Sequence, residues 1–369
     1  MKKIISAGHI CLDITPVFPA NRSCSRIGDL LQPGKLIHTG EADVHTGGSV
    51  ANTGLALKIL GADVQLMGKT GNDAFGKMVQ QIVEQYGGGK LLVDEDASTS
   101  YTVVLAVPGI DRIFLHNPGA NDTFCSSDIP EEDLKDAALF HFGYPSLMKS
   151  MYVNDGEELV NIFRRMKGKQ IATSLDLAAV DPDSEAGKAD WPLILKKVLP
   201  FVDFFVPSFD ELCYILNRER FEELRETGED MTKDLDIEKE AGPLADKLFE
   251  LGCKVVMIKC GTAGMYYRTA GSEVISQTGS RLDLNIDKWS DKSGIQPVFP
   301  ADKVLSGTGA GDTSIAAFLA AVLNGEDPAM CAALAAAEGS CCVTAYDALS
   351  GLKTLSELKE RIKSGWKKG

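Results

Sequence analysis

Short apolar segments alternate with amphipathic ones along most of the chain. Residues 3–14 and 64–70 have the length and apolar character of buried strands. Residues 51–60 lie between them and carry apolar side chains at helical spacing, and Gly61 is a typical helix stop. A second helical pattern follows a turn at residues 71–76 and runs to about Tyr86. The first part of the chain therefore predicts a strand–helix–strand–helix order.

The same rhythm continues through the second half of the sequence. Alternating strands and helices of this kind favour a mostly parallel sheet with helices on both faces, a doubly wound α/β fold. The segments that support this are 138–142, 157–167, 171–176, 193–199, 203–206, 208–217, 243–251 and 254–259.

Two segments depart from this rhythm and predict a separate small sheet. Residues 14–45 lack helical periodicity and are rich in proline and glycine. Residues 100–106 and 112–116 flank the turn sequence Pro108-Gly109-Ile110-Asp111, which indicates a hairpin. We therefore assign residues 14–45 and 99–117 to a small β lid, and residues 1–13, 46–98 and 118–369 to the larger α/β domain.

Composition and charge exclude several classes of partner. The formal net charge is −14, and without a basic stripe this argues against nucleic acid and anionic membranes. No apolar run approaches the roughly 20 residues of a membrane span, and no signal peptide is recognisable. The nine cysteines include no Cys-x-x-Cys pair, which is typical of reduced thiols. We expect a cytoplasmic protein.

One glycine-rich stretch carries the strongest chemical signal. Gly309 and Gly311 precede an apolar helix that ends at Asn324-Gly325. Because a glycine turn that opens a helix leaves amide groups unpaired at the positive end of the helix dipole, it can bind phosphate. Asp312 would repel such an anion, unless it accepts a proton from a nucleophile that attacks the phosphate.

Two further polar residues lie where ligands often bind. Asp13 is near the end of the first predicted strand, and the carboxyl ends of strands face ligands in open α/β sheets. Asn52 follows Gly47-Gly48 in the first turn of a helix. It either caps that helix or holds substrate hydroxyl groups.

Taken together, the motifs resemble those of the ribokinase-like (PfkB-type) carbohydrate kinases. The resemblance rests on Gly47-Gly48-Ser49-Val50-Ala51-Asn52 and Gly309-Ala310-Gly311-Asp312, with lesser matches between them in family order. The lesser matches are Gly71-Asn72-Asp73-Ala74-Phe75-Gly76, Pro118-Gly119-Ala120-Asn121, Pro207-Ser208-Phe209-Asp210-Glu211 and Lys259-Cys260-Gly261-Thr262-Ala263-Gly264.

The resemblance implies an ATP-dependent kinase that uses Mg²⁺ to phosphorylate a hydroxymethyl group of a sugar or nucleoside. It implies that Asp312 is the general base and that the amides of Gly309, Ala310, Gly311 and Asp312 form an anion hole. It further implies that Glu211 organises Mg²⁺. By the same comparison Asp13, Gly47, Gly48 and Asn52 bind substrate, and Gly261, Gly264 and Thr308 bind nucleotide.

The sequence departs from the family pattern near these motifs. Ser306-Gly307 replaces the common Asp-Thr, which leaves open whether a monovalent cation such as K⁺ binds beside the anion hole. Cys11 replaces a substrate-binding asparagine, and Ser208 replaces the asparagine near Glu211. The polar segment 276–303 could be a flap over the nucleotide or a decorative loop.

Three functions fit these observations. The first is a sugar kinase acting on an unphosphorylated acceptor of the ribose, fructose or 2-keto-3-deoxy sugar acid class. The second is a nucleoside kinase, which predicts that Tyr101 or Phe114 stacks on a base. The third is a non-catalytic metabolite-binding protein. Because lid sheets expose edges, we also expect a homodimer formed through the lid.

Overall fold

The computed structural model describes residues 2–110, 112–228 and 230–366. Residues 1 and 369, the predicted outer limits of the larger domain, lie outside the described residues, as do Asp111 in the hairpin turn and Glu229. The strands are β1 Lys3–Gly8, β2 Cys11–Pro16, β3 Ala42–Gly47, β4 Asp63–Gly71, β5 Lys90–Asp94, β6 Tyr101–Leu105, β7 Ile113–Asn117, β8 Ala137–Gly143, β9 Ala172–Leu175, β10 Phe204–Phe205, β11 Val255–Cys260, β12 Gly264–Thr269 and β13 Ser293–Gln296.

Helices connect most of these strands. They are α1 Ile27–Leu30, α2 Ser49–Ile59, α3 Ala74–Gln85, α4 Lys149–Tyr152, α5 Glu157–Gly168, α6 Trp191–Val198, α7 Phe209–Leu216, α8 Arg218–Glu226, α9 Ile237–Glu250, α10 Ser272–Ile275, α11 Ile286–Trp289, α12 Ala310–Leu323, α13 Pro328–Cys342 and α14 Leu355–Lys363.

A nine-stranded sheet forms the centre of the larger domain, in the order β13-β12-β11-β10-β9-β8-β1-β4-β5. The strands from β11 to β5 pair in parallel, whereas β12 and β13 are antiparallel additions at one edge. Helices α5, α6, α7 and α9 bury their apolar residues on one face of this sheet. Helices α2, α12, α13 and α14 cover the other face. The predicted doubly wound fold is confirmed.

The small sheet has the order β3-β2-β6-β7. Its β6–β7 hairpin is antiparallel, as predicted, and β6 pairs in parallel with β2. The predicted first strand, residues 3–14, is wrong as a single element, because β1 lies in the large sheet and β2 lies in the small one. Asp13 therefore belongs to a lid strand, and the predicted domain limit between residues 13 and 14 falls inside β2. Apolar residues lie on both sides of the short Gly8-His9 interruption, which concealed the crossing between the two sheets.

Residues 276–292 do not form a flap over the ligand-binding edge. Arg281 donates hydrogen bonds to the carbonyl oxygens of Leu134 and Lys135, at 2.7 and 2.8 Å. Its backbone amide donates to Gln170, just before β9. These contacts lie at the amino ends of β8 and β9, whereas ligands bind at the carboxyl ends of such strands.

The same segment supplies part of the core. Trp289 is 1% exposed, and its ring lies 5.6 Å from Phe204 and 6.3 Å from Phe318. Strand β13 then closes the sheet edge. The polar composition of residues 276–303 concealed this single large anchor, so residues 276–296 are a packed part of the domain and not a decorative loop.

Residues 222–240 are rich in charged side chains, which is typical of a solvated surface helix or loop. Helix α8 begins just before this run and contains no buried residue. No helix among the described residues has both the length and the apolar character that crossing a membrane requires. All nine cysteines are free thiols, and seven of them are buried.

Candidate active site at the carboxyl edge of the sheet

Five neighbouring strands deliver polar residues to the same edge of the large sheet. Because the carboxyl ends of parallel strands meet at one edge, residues far apart in sequence converge there. His9 follows β1, Tyr144 follows β8, Asp176 follows β9, Ser208 and Glu211 follow β10, and Lys259 is the penultimate residue of β11. Asp312, in the first turn of α12, lies among them.

Asp312 is 5% exposed and accepts hydrogen bonds from three residues, one after β8 and two in α2. The Tyr144 hydroxyl lies 2.7 and 2.8 Å from its two carboxylate oxygens. The Asn52 amide donates to Oδ2 at 3.0 Å, and the Thr53 hydroxyl lies 3.4 Å from Oδ1. Burial raises the pKa of Asp312, while these donors and the positive charge of Lys259 act in the opposite direction. A buried carboxylate with a raised pKa is a suitable proton acceptor.

The turn before α12 presents free amide groups beside Asp312. Gly309 has a φ of 74°, and an added Cβ there would lie 2.3 Å from the Cβ of Ala348, so only glycine fits. Among the described residues, no acceptor is found for the backbone N–H groups of Gly309, Gly311 and Asp312, whereas Ala310 donates to Gly307 at 3.3 Å. Unpaired amides at a helix N-terminus are a binding site for an anion.

Lys259 places a positive charge beside these amides. Its Nζ lies 3.7 Å from the position that a Cβ on Gly311 would occupy, and 2.8 Å from Oδ1 of Asp176. Burial by itself would lower the pKa of Lys259, but the carboxylates of Asp176, Glu211 and Asp312 raise it above its ordinary value. The lysine is therefore charged and surrounded by an excess of carboxylates.

This excess of negative charge favours the binding of a metal cation. Burial raises the pKa of Asp176 well above its ordinary value, and Glu211 and Asp312 raise it further. Its Oδ2 is buried without a hydrogen-bond partner. Glu211 accepts a hydrogen bond from the Ser208 amide at 2.7 Å in a capping box. One oxygen of the carboxylate that was predicted to organise Mg²⁺ therefore also caps α7.

No three metal-ligating side chains form a cage anywhere in the described residues. One or two carboxylates nevertheless suit Mg²⁺, because that ion usually takes its remaining ligands from substrate phosphates and water. Asp176 and Glu211 fit this pattern.

The lid covers the site with one polar face. Strand pairing aligns His45, Asp13, Thr102 and His116 across its four strands, and side chains at paired positions share a face. The His116 ring lies 5.1 Å from the ring of His9 at the sheet edge, so this face looks into the site.

Asp13 lies close to the backbone and to Asp312. A Cβ on Gly47 would be 2.1 Å from its Oδ2, which explains the small residue at that position. The thiol of Cys11 donates to its Oδ1 at 3.2 Å. Burial raises the pKa of Asp13, and the charge of Asp312 contributes in the same direction. The two carboxylates therefore flank one pocket.

The lid also reaches the glycine turn. Arg112, which precedes β7, donates to the hydroxyl of Thr308 at 2.5 Å. Thr308 also contacts Ser306 within the turn, because the Thr308 amide donates to the Ser306 hydroxyl at 3.1 Å. Thr308 thus lies where the lid meets the predicted anion hole.

The remaining predicted residues have the following positions. Gly48 is the N-cap of α2, beside His9. Gly261 and Gly264 form the turn between β11 and β12, with Thr232 packed over Gly261. Tyr101 cannot be a base-stacking residue, because it packs on Phe75 at 5.5 Å in a buried cluster behind the lid.

Several residues of the site were missed from the sequence. Lys259 lies inside a quoted motif, where a lysine before a glycine turn could have signalled a phosphate contact. Asp176 directly follows an apolar strand, which is the same signal that drew attention to Asp13. Tyr144, His9 and His116 gave no signal, since their roles depend on which strands are neighbours.

Comparison with known proteins agrees with this geometry. Residues 1–355 match the sequence profile of the pfkB family carbohydrate kinase. A sugar kinase of Archaeoglobus fulgidus is 24% identical over 302 residues, 81% of this chain and 98% of that protein. A ribokinase of Arabidopsis thaliana is 24% identical over 341 residues, 90% of this chain and 76% of that protein.

Solved structures share the fold. The structure of Arabidopsis thaliana ribokinase with ribose and ATP superposes with a TM-score of 0.70 at 21% identity, covering 98% of this chain and 99% of that one. A nucleoside kinase of Methanocaldococcus jannaschii gives a TM-score of 0.67 at 20% identity, with 99% of both chains covered.

Proposed function

Because this chain belongs to the pfkB family of carbohydrate kinases, we propose that it transfers the γ-phosphoryl group of ATP to a hydroxymethyl group of a small, neutral sugar. The observation that carries this proposal is that a buried carboxylate, Asp312, lies beside the unpaired backbone amides of Gly309 and Gly311. That arrangement places a proton acceptor next to an anion site.

Asp312 acts as the general base. The acceptor hydroxyl oxygen forms a bond to the γ-phosphorus as its proton moves to Asp312. The bond between that phosphorus and the bridging oxygen breaks, and its electron pair remains on ADP. General-base assistance of this kind contributes roughly 10²–10⁴ in rate.

The anion hole stabilises the group in transit. The amides of Gly309, Ala310, Gly311 and Asp312 and the dipole of α12 face its oxygens, and Lys259 adds a positive charge beside Gly311. When bound, Mg²⁺ would neutralise phosphate charge, and Asp176 and Glu211 are the residues that would hold it through their carboxylates or through water. Gly261, Gly264 and Thr308 would contact the nucleotide.

The charge of the acceptor pocket limits the substrate. Asp13 and Asp312 flank it, and the charge of Asp312 adds to the effect of burial in raising the pKa of Asp13. A sugar acid or sugar phosphate would add a third anion. Neutral sugars of the ribose or fructose class suit it better, with Asp13, Asn52 and the backbone at Gly47 and Gly48 near their hydroxyl groups.

A nucleoside is the second candidate acceptor. Phe114 is two residues from His116 in β7 and therefore projects from the same, site-facing side of the lid. Its side chain is 55% exposed, so its ring is available to stack on a base. This observation, rather than the shared fold alone, keeps a nucleoside in consideration.

The first prediction concerns the base. Asp312→Asn keeps the shape of the side chain but cannot accept the proton, so kcat should fall by at least about 10²-fold while ATP affinity is retained. Turnover by coupled assay and ATP binding by calorimetry measure the two effects. Asp302→Asn is the control, because that side chain is 79% exposed. Near-normal turnover in Asp312→Asn would remove the general-base role.

The second prediction concerns the acceptor. Asp13→Ala should raise the KM for the sugar by about tenfold or more, the loss expected for a charged hydrogen bond, and leave the KM for ATP nearly unchanged. Asp29→Ala, an exposed lid residue paired with Arg26, is the matched control. Assays over neutral sugars, sugar acids and nucleosides, with and without K⁺, identify the acceptor. Equal changes in both KM values would exclude Asp13 from the acceptor site.

A homodimer through the lid completes the proposal. Leu36 and Leu115 of the lid are 80% and 54% exposed, and a second copy would cover them. Light scattering on the purified protein should give twice the mass of one chain, 39.6 kDa. A monomer at micromolar concentration would contradict this arrangement.

A further inference from the structure

The side chain of Tyr144 is the most direct contact of the proposed base. Its hydroxyl lies 2.7 Å from Oδ1 and 2.8 Å from Oδ2 of Asp312. One proton shared between two oxygens of the same carboxylate gives a bifurcated hydrogen bond. Burial and the charges of Asp312 and Asp176 raise the pKa of Tyr144 well above its ordinary value. The phenol therefore remains a donor throughout the pH range of enzymes.

The backbone of Tyr144 is strained in order to make this contact. Its φ and ψ are 66° and 44°, the left-handed conformation, directly after the end of β8. For a non-glycine residue this conformation is unfavourable, because Cβ comes too close to the following carbonyl oxygen. Such strain persists where the surroundings determine the conformation, and it concentrates at functional sites. Here it directs the ring from the sheet edge towards α12.

The ring also connects Asp312 to the lid. The His9 ring lies 6.1 Å from that of Tyr144 and 5.1 Å from that of His116 in β7. Burial lowers the pKa values of both histidines, and His116 contributes to the effect on His9. Neutral rings can pack in this way without repulsion. A column of three rings therefore extends from the lid to the hydroxyl at Asp312.

From this geometry we infer that Tyr144 is a positioning residue, which holds the ionised Asp312 carboxylate in the orientation that receives the acceptor's proton. The inference rests on the proposed general-base role of Asp312. Because the bifurcated bond can contract onto one oxygen, an incoming hydroxyl can bind the other without leaving the carboxylate unpaired.

Other charged and titratable groups also act on Asp312, so the test must isolate one contact. Asn52 and Thr53 of α2 donate to it but do not titrate. The titratable groups that face Asp312 or Tyr144 from neighbouring elements are His9 after β1, Asp13 of β2, Asp176 after β9, Glu211 of α7, Lys259 of β11 and Cys342 of α13. Tyr144→Phe leaves all of these in place and removes one oxygen atom.

Loss of a donor to the charged form raises the pKa of a carboxylate. We expect Tyr144→Phe to raise the pKa of Asp312 by about 1, the size of one hydrogen bond to a charged group. The acid limb of kcat/KM should move to higher pH by the same amount. The rate below that limb should then fall about tenfold, with ATP affinity unchanged.

The experiment measures both quantities on the full chain. Carboxyl-labelled aspartate gives the pKa of Asp312 by ¹³C nuclear magnetic resonance, and the signal is assigned by its absence in Asp312→Asn. The pH profile of kcat/KM is recorded in parallel. Tyr152→Phe, in the half-buried α4 and outside the site, is the matched control, and thermal unfolding confirms that both variants fold.

A higher Asp312 pKa together with a shifted acid limb supports the inference. An unchanged Asp312 pKa in Tyr144→Phe overturns it. A higher pKa with an unmoved acid limb would instead overturn the general-base role of Asp312, and with it any catalytic use of Tyr144. The two failures are therefore distinguishable.

Discussion

The crowding of carboxylates at one buried edge is the constraint on which the site depends. Asp176, Glu211 and Asp312 surround the single ammonium group of Lys259, and burial raises the pKa of each carboxyl group. An arrangement of this kind is unfavourable in isolation, because like charges repel and burial disfavours ionisation. In the proposed reaction it becomes useful, because a bound divalent cation would supply the missing positive charge. The free amides at the start of α12 would then offer hydrogen bonds to phosphate oxygens.

The fold assembles these groups through its topology. Parallel strands β1, β8, β9, β10 and β11 are neighbours, so the residues after each of them meet along one line. Helix α12 packs across the sheet with almost every residue buried. This packing fixes the position of Asp312 relative to the carboxyl edge of the sheet. Asn52 from α2 and Tyr144 from β8 then hold its carboxylate from two sides. The position of Asp312 is therefore set by core packing as much as by its own motif.

The lid supplies the complementary half of the site. One face of its sheet is apolar and packs with α2 and α3, as Leu12 and Tyr101 do. The other face carries Asp13, Thr102 and His116 towards the proposed catalytic edge. Because successive side chains of a strand point to opposite faces, even this small sheet can have one apolar and one polar face. Arg112 then connects the lid to the glycine turn through Thr308, so the lid is in direct contact with the proposed anion hole.

Features that depend on residues close in sequence were predictable, whereas features that depend on contacts between distant segments were not. The turn at Gly309 and the helix after it are determined by nearby residues, so their structure was predictable. The alternation of strands and helices likewise indicated the fold. The break between β1 and β2 was not predictable, because apolar residues lie on both sides of it and only the tertiary structure separates the two sheets. Tyr144 and His116 belong to the site through strand order, and Trp289 belongs to the core through a contact with Phe204 and Phe318.

A structure of the enzyme with ADP, Mg²⁺, aluminium fluoride and its best acceptor sugar tests the central claim most directly. The account predicts that the fluoride plane lies on the amides of Gly309 to Asp312. It also predicts that an oxygen of Asp312 lies about 2.6–3.2 Å from the attacking hydroxyl. Fluoride bound away from the start of α12, or an attacking hydroxyl out of reach of Asp312, would contradict it.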